Sequence, residues 1–178
     1  MDDNFIKETE LNGVFIIARP TFEDERGFFR ESFRKRDLDK RLGYEFNPVQ
    51  SNHSRSKKGV LRGIHVAPWH KLATVISGAV QQVVVDLRKK SPTFGQHISM
   101  LINEENRISL CIPAGCGNAY LVLSDGVDYT YLTTDYWSAG KELGIIYNDP
   151  KLNIKWEIDS PILSEKDLEN PPVSEIFP

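Results

Sequence analysis

Apolar and polar residues alternate or cluster along this chain in short runs. "GVFIIA" (13–18), "GVLRGIHV" (59–66), "ATVISG" (73–78), "AVQQVVVDLR" (79–88), "HISMLI" (97–102), "RISLCI" (107–112), "AYLVLS" (119–124) and "VDYTYLTTDYW" (127–137) are rich in β-branched and aromatic residues. Gly, Pro, Asn, Asp and Ser separate them at short intervals, the punctuation expected between the strands of an all-β sandwich or barrel. Two segments look helical. "RKRDLDKRLG" (34–43) closes on a glycine stop, and "SEKDLEN" (164–170) opens on a serine three residues before Asp167 and halts before Pro171 and Pro172. With helices peripheral, the pattern predicts a jelly roll, two antiparallel sheets closing round a central cavity. Small ligands bind in the interiors and mouths of such folds, so inward polar residues become site candidates.

The 178 residues suit one domain, 1–178, with a jelly-roll core over about 13–150 and a C-terminal helical segment over about 160–178. Composition does not shift along the chain, and no repeat or low-complexity tract marks a linker. Hydrophobic residues at 40% against charged ones at 26% match a folded globular protein rather than a disordered one. Net charge is -3, and the doublets Lys57-Lys58 and Lys89-Lys90 sit next to turn residues, so no concentrated basic face is offered to nucleic acid. The acidic opening "MDDNFIKETEL" lacks a signal sequence and no run of about 18 apolar residues follows, which predicts a cytoplasmic protein without a membrane partner. Cys111 and Cys116 form neither a CxxC pair nor a disulfide framework and are read as packing thiols.

Several polar positions carry candidate chemistry. In "TFEDERGFFRESF" (21–33), Arg26 and Glu31 bracket the pair Phe28-Phe29, a mixture suited to stacking a base and bonding its edge; a turn at "DERG" leading into an edge strand fits equally. In "VQSNHSRSKKGVLRGIH" (49–65), Gln50, Asn52 and Ser54 share one strand face, either for phosphate or sugar recognition or as an exposed edge. Along "LRGIHV" strict alternation separates Arg62 from His65, so both enter one pocket only if Gly63 introduces a bulge or kink. His65 has the chemistry of a general base, and also of an ordinary packed or surface histidine. Tyr131, Thr133, Asp135 and Trp137 share parity, which lets a tyrosine hydroxyl and a tryptophan edge face one cavity. Ser164-x-x-Asp167 matches a capping box, which gives Asp167 a structural alternative to any catalytic use. The histidines, 53, 65, 70 and 97, include no pair two apart on a strand, so no metal site is expected.

Taken together, "FEDERGFFRESF", "VQSNHSRSKKGVLRGIH", "VVVDLRKKSPTFGQ", "IPAGCGNAYLVLSD", "YTYLTTDYW", "YNDPKLNIKW" and "PILSEKD" resemble, in order and over nearly the whole chain, the dTDP-4-dehydrorhamnose 3,5-epimerases and related nucleotide-sugar epimerases. The resemblance implies an all-β, cupin-type double-stranded β-helix, a homodimer with neither cofactor nor metal. It implies an isomerase that inverts C3, C5 or both in a 4-keto-6-deoxy sugar linked to a nucleotide diphosphate. By the same resemblance His65 is the base, Tyr131 the acid, Asp167 the carboxylate behind the histidine, and Lys71 the cation beside the developing enolate oxygen. Arg62 and Lys166 match substrate and phosphate ligands. Arg26, Glu31, Gln50, Asn52 and Glu142 match nucleotide or sugar contacts, as does Ser54 on the same polar strand, with Phe28 and Phe29 near the base.

Three departures bear on the substrate. Asn118, in "GNAY", replaces a histidine near the sugar; Trp137 replaces a tyrosine; and the loop from His65 to Lys71 is shortened to "VAPWHK". The short loop and the "GN" dipeptide are similar to epimerases of GDP-linked 4-keto heptoses from capsule synthesis, which keeps both dTDP and GDP substrates open. A 3,4-ketoisomerase resembles its own kind in a second histidine after the Arg-Gly step, absent from "RGIHVAP". A non-catalytic sugar-nucleotide binder needs neither base, acid nor supporting carboxylate.

Overall fold

A computed structural model of the protein describes residues 5–177. The first residues of the acidic opening and Pro178 lie outside the described residues. In chain order the elements are β1 (Ile6–Glu8), β2 (Phe15–Ile17), β3 (Thr21–Asp24), β4 (Gly27–Arg30), α1 (Lys35–Leu42), β5 (Gln50–Lys57), β6 (Leu61–Val66), β7 (Lys71–Ser77), β8 (Ala79–Asp86), β9 (His97–Asn103), β10 (Ser109–Ile112), β11 (Cys116–Val122), β12 (Gly126–Thr133), β13 (Leu143–Gly144), α2 (Glu165–Leu168) and α3 (Val173–Ile176). A six-stranded sheet, β1-β2-β10-β7-β12-β5, faces a five-stranded sheet, β13-β6-β11-β8-β9, and β3 with β4 forms a separate hairpin. Each of the eight apolar runs holds a strand, and the sheets pair antiparallel, as in the jelly roll the pattern predicts.

Alternation along each strand explains the core. Ala73, Val75, Leu110, Ile112, Val127 and Tyr129 of the six-stranded sheet meet Val80, Val84, Ile98, Ile102, Cys116, Tyr120 and Val122 of the other. The outward residues are covered as well. Ile64, Val66, Val83, Val85 and Ala119 pack under Ile145, Leu152 and Val173 from the C-terminal segment. Phe15, Ile17, Leu72 and Cys111 pack under Leu38 of α1 and under Phe46. With both of their faces covered, the central strands β8 and β11 are buried almost throughout rather than alternately. Both cysteines are free and buried, and burial pushes each thiol up to about 12, so they pack as thiols.

Helix α1 ends where its glycine predicts: Gly43 has φ 75° and its N–H donates to the Asp39 carbonyl at 2.9 Å. Three features differ from expectation. β12 stops at Thr133 instead of running to Trp137, because the chain turns as Thr133 Oγ1 donates to the Asp135 carbonyl at 2.8 Å. The C-terminal segment is largely irregular, with only the four-residue α2 and α3, since Pro171 and Pro172 cannot continue a helix through them. Strands β1 and β13 are too short to show a period. Among the described residues no helix is long and apolar enough to cross a membrane.

Candidate active site

The conflict between Arg62 and His65 is resolved at Gly63. On β11, Tyr120 pairs with Arg62 and Asn118 with His65, so Gly63 and Ile64 together oppose the single residue Ala119. This is a bulge, and it turns both Arg62 and His65 inward while Ile64 stays in the outer core. Only glycine fits there. Gly63 has φ 134°, and a Cβ would lie 2.4 Å from Ala119 Cβ and 2.8 Å from the Asn118 carbonyl oxygen.

The bulge opens onto a pocket of about 150 Å³ between the sheets. His65, Arg62, Asn118 and Tyr120 come from the five-stranded sheet; Lys71, Tyr131, Tyr129 and Ser54 come from the other, and Glu142 closes one side. A second hollow of about 310 Å³ adjoins it through Arg62 and His65 and carries Lys166, Ser164 and Asp167. The short β6–β7 connection starts β7 at Lys71, on the same inward face as Ala73 and Val75.

His65 Nε2 donates to Asp167 Oδ1 at 2.7 Å, and the Asp167 side chain is only 5% exposed. Burial alone raises a carboxyl, but the His65 imidazole, Ser164 and the Gly63 amide outweigh it and hold Asp167 below its ordinary value. An ionised Asp167 keeps the proton on Nε2 and leaves the lone pair on Nδ1, the form a base requires. The capping alternative coexists with this use: the Asp167 amide donates to Ser164 Oγ at 3.1 Å, so the cap fixes the backbone while the carboxylate serves the histidine.

Lys71 is 4% exposed, and its Nζ meets Glu142 Oε1 at 3.0 Å. Burial lowers this ammonium's pKa and Glu142 counters the loss. The same Nζ lies 5.8 Å from the centre of the Tyr131 ring. Burial, then Glu142 and Tyr120, raise the Tyr131 phenol above its ordinary value against the opposing pull of Arg62, so it keeps its proton for donation. Arg62 Nε donates to Ser56 Oγ at 3.0 Å, which leaves its guanidinium at the mouth.

The remaining candidates scatter. Arg26, Phe28 and Phe29 stand on the exposed hairpin β3–β4, and Arg26 forks onto Asp24 at 2.5 Å rather than reaching the pocket. Glu31 binds Arg19 at 2.8 Å and Arg34 at 2.7 Å. Gln50 donates to Asn52 Oδ1 at 2.7 Å, and neither lines the pocket. Trp137 is exposed on the turn after β12, its backbone amide donating to Gln50 Oε1, so the parity that aligned it with Tyr131 ends with the strand. His70 is half-buried against Tyr44, its Nδ1 2.9 Å from the phenol oxygen. Gln82, Tyr120 and Tyr129 were missed by sequence reasoning. Tyr129 has the parity of Tyr131, and Gln82 and Tyr120 have the parity of the inner-face residues on their strands.

Comparison with known proteins places this geometry. The family model for dTDP-4-dehydrorhamnose 3,5-epimerase matches residues 8–175. The dTDP-4-dehydrorhamnose 3,5-epimerase of Shigella flexneri is 42% identical over 169 residues, which is 93% of either chain. Among solved structures, the RmlC epimerase of Legionella pneumophila in complex with dTDP-4-keto-L-rhamnose superposes with a TM-score of 0.91 at 39% identity, covering 96% of this chain and 93% of that one. ChmJ, a 3'-monoepimerase from Streptomyces bikiniensis in complex with dTDP-quinovose, superposes with a TM-score of 0.89 at 31% identity, covering 93% and 86%.

Proposed function

Because the chain belongs to the dTDP-4-dehydrorhamnose 3,5-epimerase family and is therefore an isomerase of a nucleotide-linked sugar, we propose that its substrate is a dTDP-linked 4-keto-6-deoxy sugar, with His65 as base and Tyr131 as acid. One observation carries the assignment: the two side chains stand on facing sheets and line one pocket. A ketone at C4 acidifies the hydrogens at C3 and C5, because the carbanion left behind is an enolate. His65 Nδ1 takes such a hydrogen from one face of the ring, with Asp167 stabilising the imidazolium that forms. Lys71 offsets the charge growing on the enolate oxygen. Tyr131 returns a proton from the other face, and the carbon is inverted. Arg62 and Lys166, flanking the second hollow, supply positive charge for the diphosphate.

The base-binding residues proposed from the resemblance are off the pocket, on the hairpin. Its exposed Phe22, Phe28 and Phe29 form an apolar surface that suits contact with a second copy, which supports a homodimer. Sedimentation velocity at micromolar concentration is expected to give twice the chain mass, and a monomer throughout would contradict it.

Incubation with dTDP- and GDP-linked 4-keto sugars in heavy water, followed by NMR, tests the substrate. Deuterium is expected at C3, C5 or both of the dTDP sugar. Turnover confined to the GDP sugars would assign the shortened loop and Asn118 to the heptose branch, and exchange with neither would remove the enzyme reading.

A further inference from the structure

Behind the pocket wall lies a closed set of neutral polar side chains with a defined sense of donation. Gln82 is fully buried, and its Nε2 lies 2.9 Å from the Ala119 carbonyl oxygen, 3.2 Å from the Val83 carbonyl oxygen and 2.7 Å from Asn118 Oδ1. Backbone carbonyls only accept, so this end of the Gln82 amide is the NH2 group. Its Oε1 then accepts, and the Tyr129 hydroxyl donates to it at 2.8 Å. Asn118 Oδ1 is occupied by Gln82, which turns the Asn118 NH2 group the other way. The Asn118 side chain draws the Tyr129 phenol down against the effect of its burial, as an amide N–H turned toward it would. Asn118 lines the pocket on the wall where it pairs with His65, so its NH2 group faces the ligand's space.

Nothing in this set is free to flip. Tyr129 is 1% exposed and stacked on Tyr120 with ring centres 4.1 Å apart, and the Tyr120 hydroxyl meets Ser54 Oγ at 2.9 Å. A buried polar side chain costs stability unless every group is satisfied, and here the full set of partners is met only in one orientation.

We propose that Gln82 is a positioning residue that fixes Asn118 as a hydrogen-bond donor to an oxygen of the bound sugar, in the same pocket as Lys71. The assignment rests on the epimerase reading above, and it makes the pocket select an acceptor oxygen, a ketone or its enolate, at this wall. Gln82 never reaches the substrate; it acts through the sense of the Asn118 amide.

The test compares wild type, Gln82→Met, Asn118→Asp and the double variant, by initial rate of deuterium entry into the dTDP-linked 4-keto sugar and by calorimetric binding of dTDP. Asp at 118 keeps the shape and the bond from Gln82 but loses the donor. Asn118→Asp is expected to lower kcat by about a hundredfold, the low end of the range for loss of one aligned donor, and Gln82→Met by up to the same factor, with dTDP affinity within about threefold. The double variant is expected to be no slower than Asn118→Asp, because Gln82 acts only through Asn118. A kcat for Asn118→Asp equal to wild type would overturn the proposal, as would losses that multiply in the double variant, the mark of a merely structural Gln82. Should Gln82→Met fail to fold, Asn118→Asp decides alone. Wild-type protein that exchanges no deuterium would instead strike the epimerase reading on which the assignment rests.

Discussion

Gly63→Ala is expected to lower the melting temperature by about 10 °C or more and to abolish epimerisation in the protein that still folds. The cost has two sources. A φ of 134° is strained for any residue with a Cβ, and the new atom would meet Ala119 Cβ at 2.4 Å and Cα at 2.7 Å. No rotamer of a methyl group relieves contact with a neighbouring strand's backbone, so β6 or β11 must move. Backbone strain and overpacking each cost roughly 1–3 kcal/mol, and in a domain of this size about 1 kcal/mol moves the midpoint by roughly 2–4 °C. If the strand escapes by losing its bulge, alternation returns and Arg62 and His65 face opposite sides. Circular dichroism melting and the exchange assay read the two effects. Gly126→Ala is the control, since the nearest atom to its added Cβ is 3.8 Å away. A Gly63→Ala protein that melts within about 2 °C of wild type and turns over normally would remove the bulge from the account.

His65→Asn is expected to lower deuterium entry at C3 and C5 by about 10³-fold while dTDP affinity stays within about threefold, the scale of a lost general base. Asparagine is the informative replacement. Its amide can still donate toward Asp167, so the buried carboxylate is not left without a partner and the fold is spared. The catalytic lone pair at Nδ1 has no counterpart. Because the base acts on the sugar carbons and not on the nucleotide, binding and turnover separate, and a parallel loss of both would indicate a structural histidine instead.

Much of this was legible in the letters, for reasons that also explain the failures. Short β-branched runs between turn residues announced the strands, and Gly43 announced the end of α1 through its left-handed conformation. The incompatibility of Arg62 and His65 on a regular strand called for a bulge at Gly63, which the β6–β11 register contains. Parity aligns Trp137 with Tyr131 only if the strand continues, and a period of two has no meaning beyond Thr133, where β12 ends. Gln82 carries no local signal because β8 is buried on both faces and Gln81 stands beside it, so no alternation marks which of the two amides faces inward. The pairing of Lys71 with Glu142, like that of His65 with Asp167, joins residues far apart in the chain, and long-range partners leave no local pattern.

The central claim is a division of labour across the pocket, and Tyr131→Phe set beside His65→Asn tests it most directly. In heavy water, Tyr131→Phe keeps the base and loses the acid, so NMR of the recovered dTDP sugar is predicted to find deuterium entering with the starting configuration retained. His65→Asn is predicted to show neither deuterium nor inversion. Inversion by Tyr131→Phe at the wild-type rate, or exchange by His65→Asn, would contradict the account.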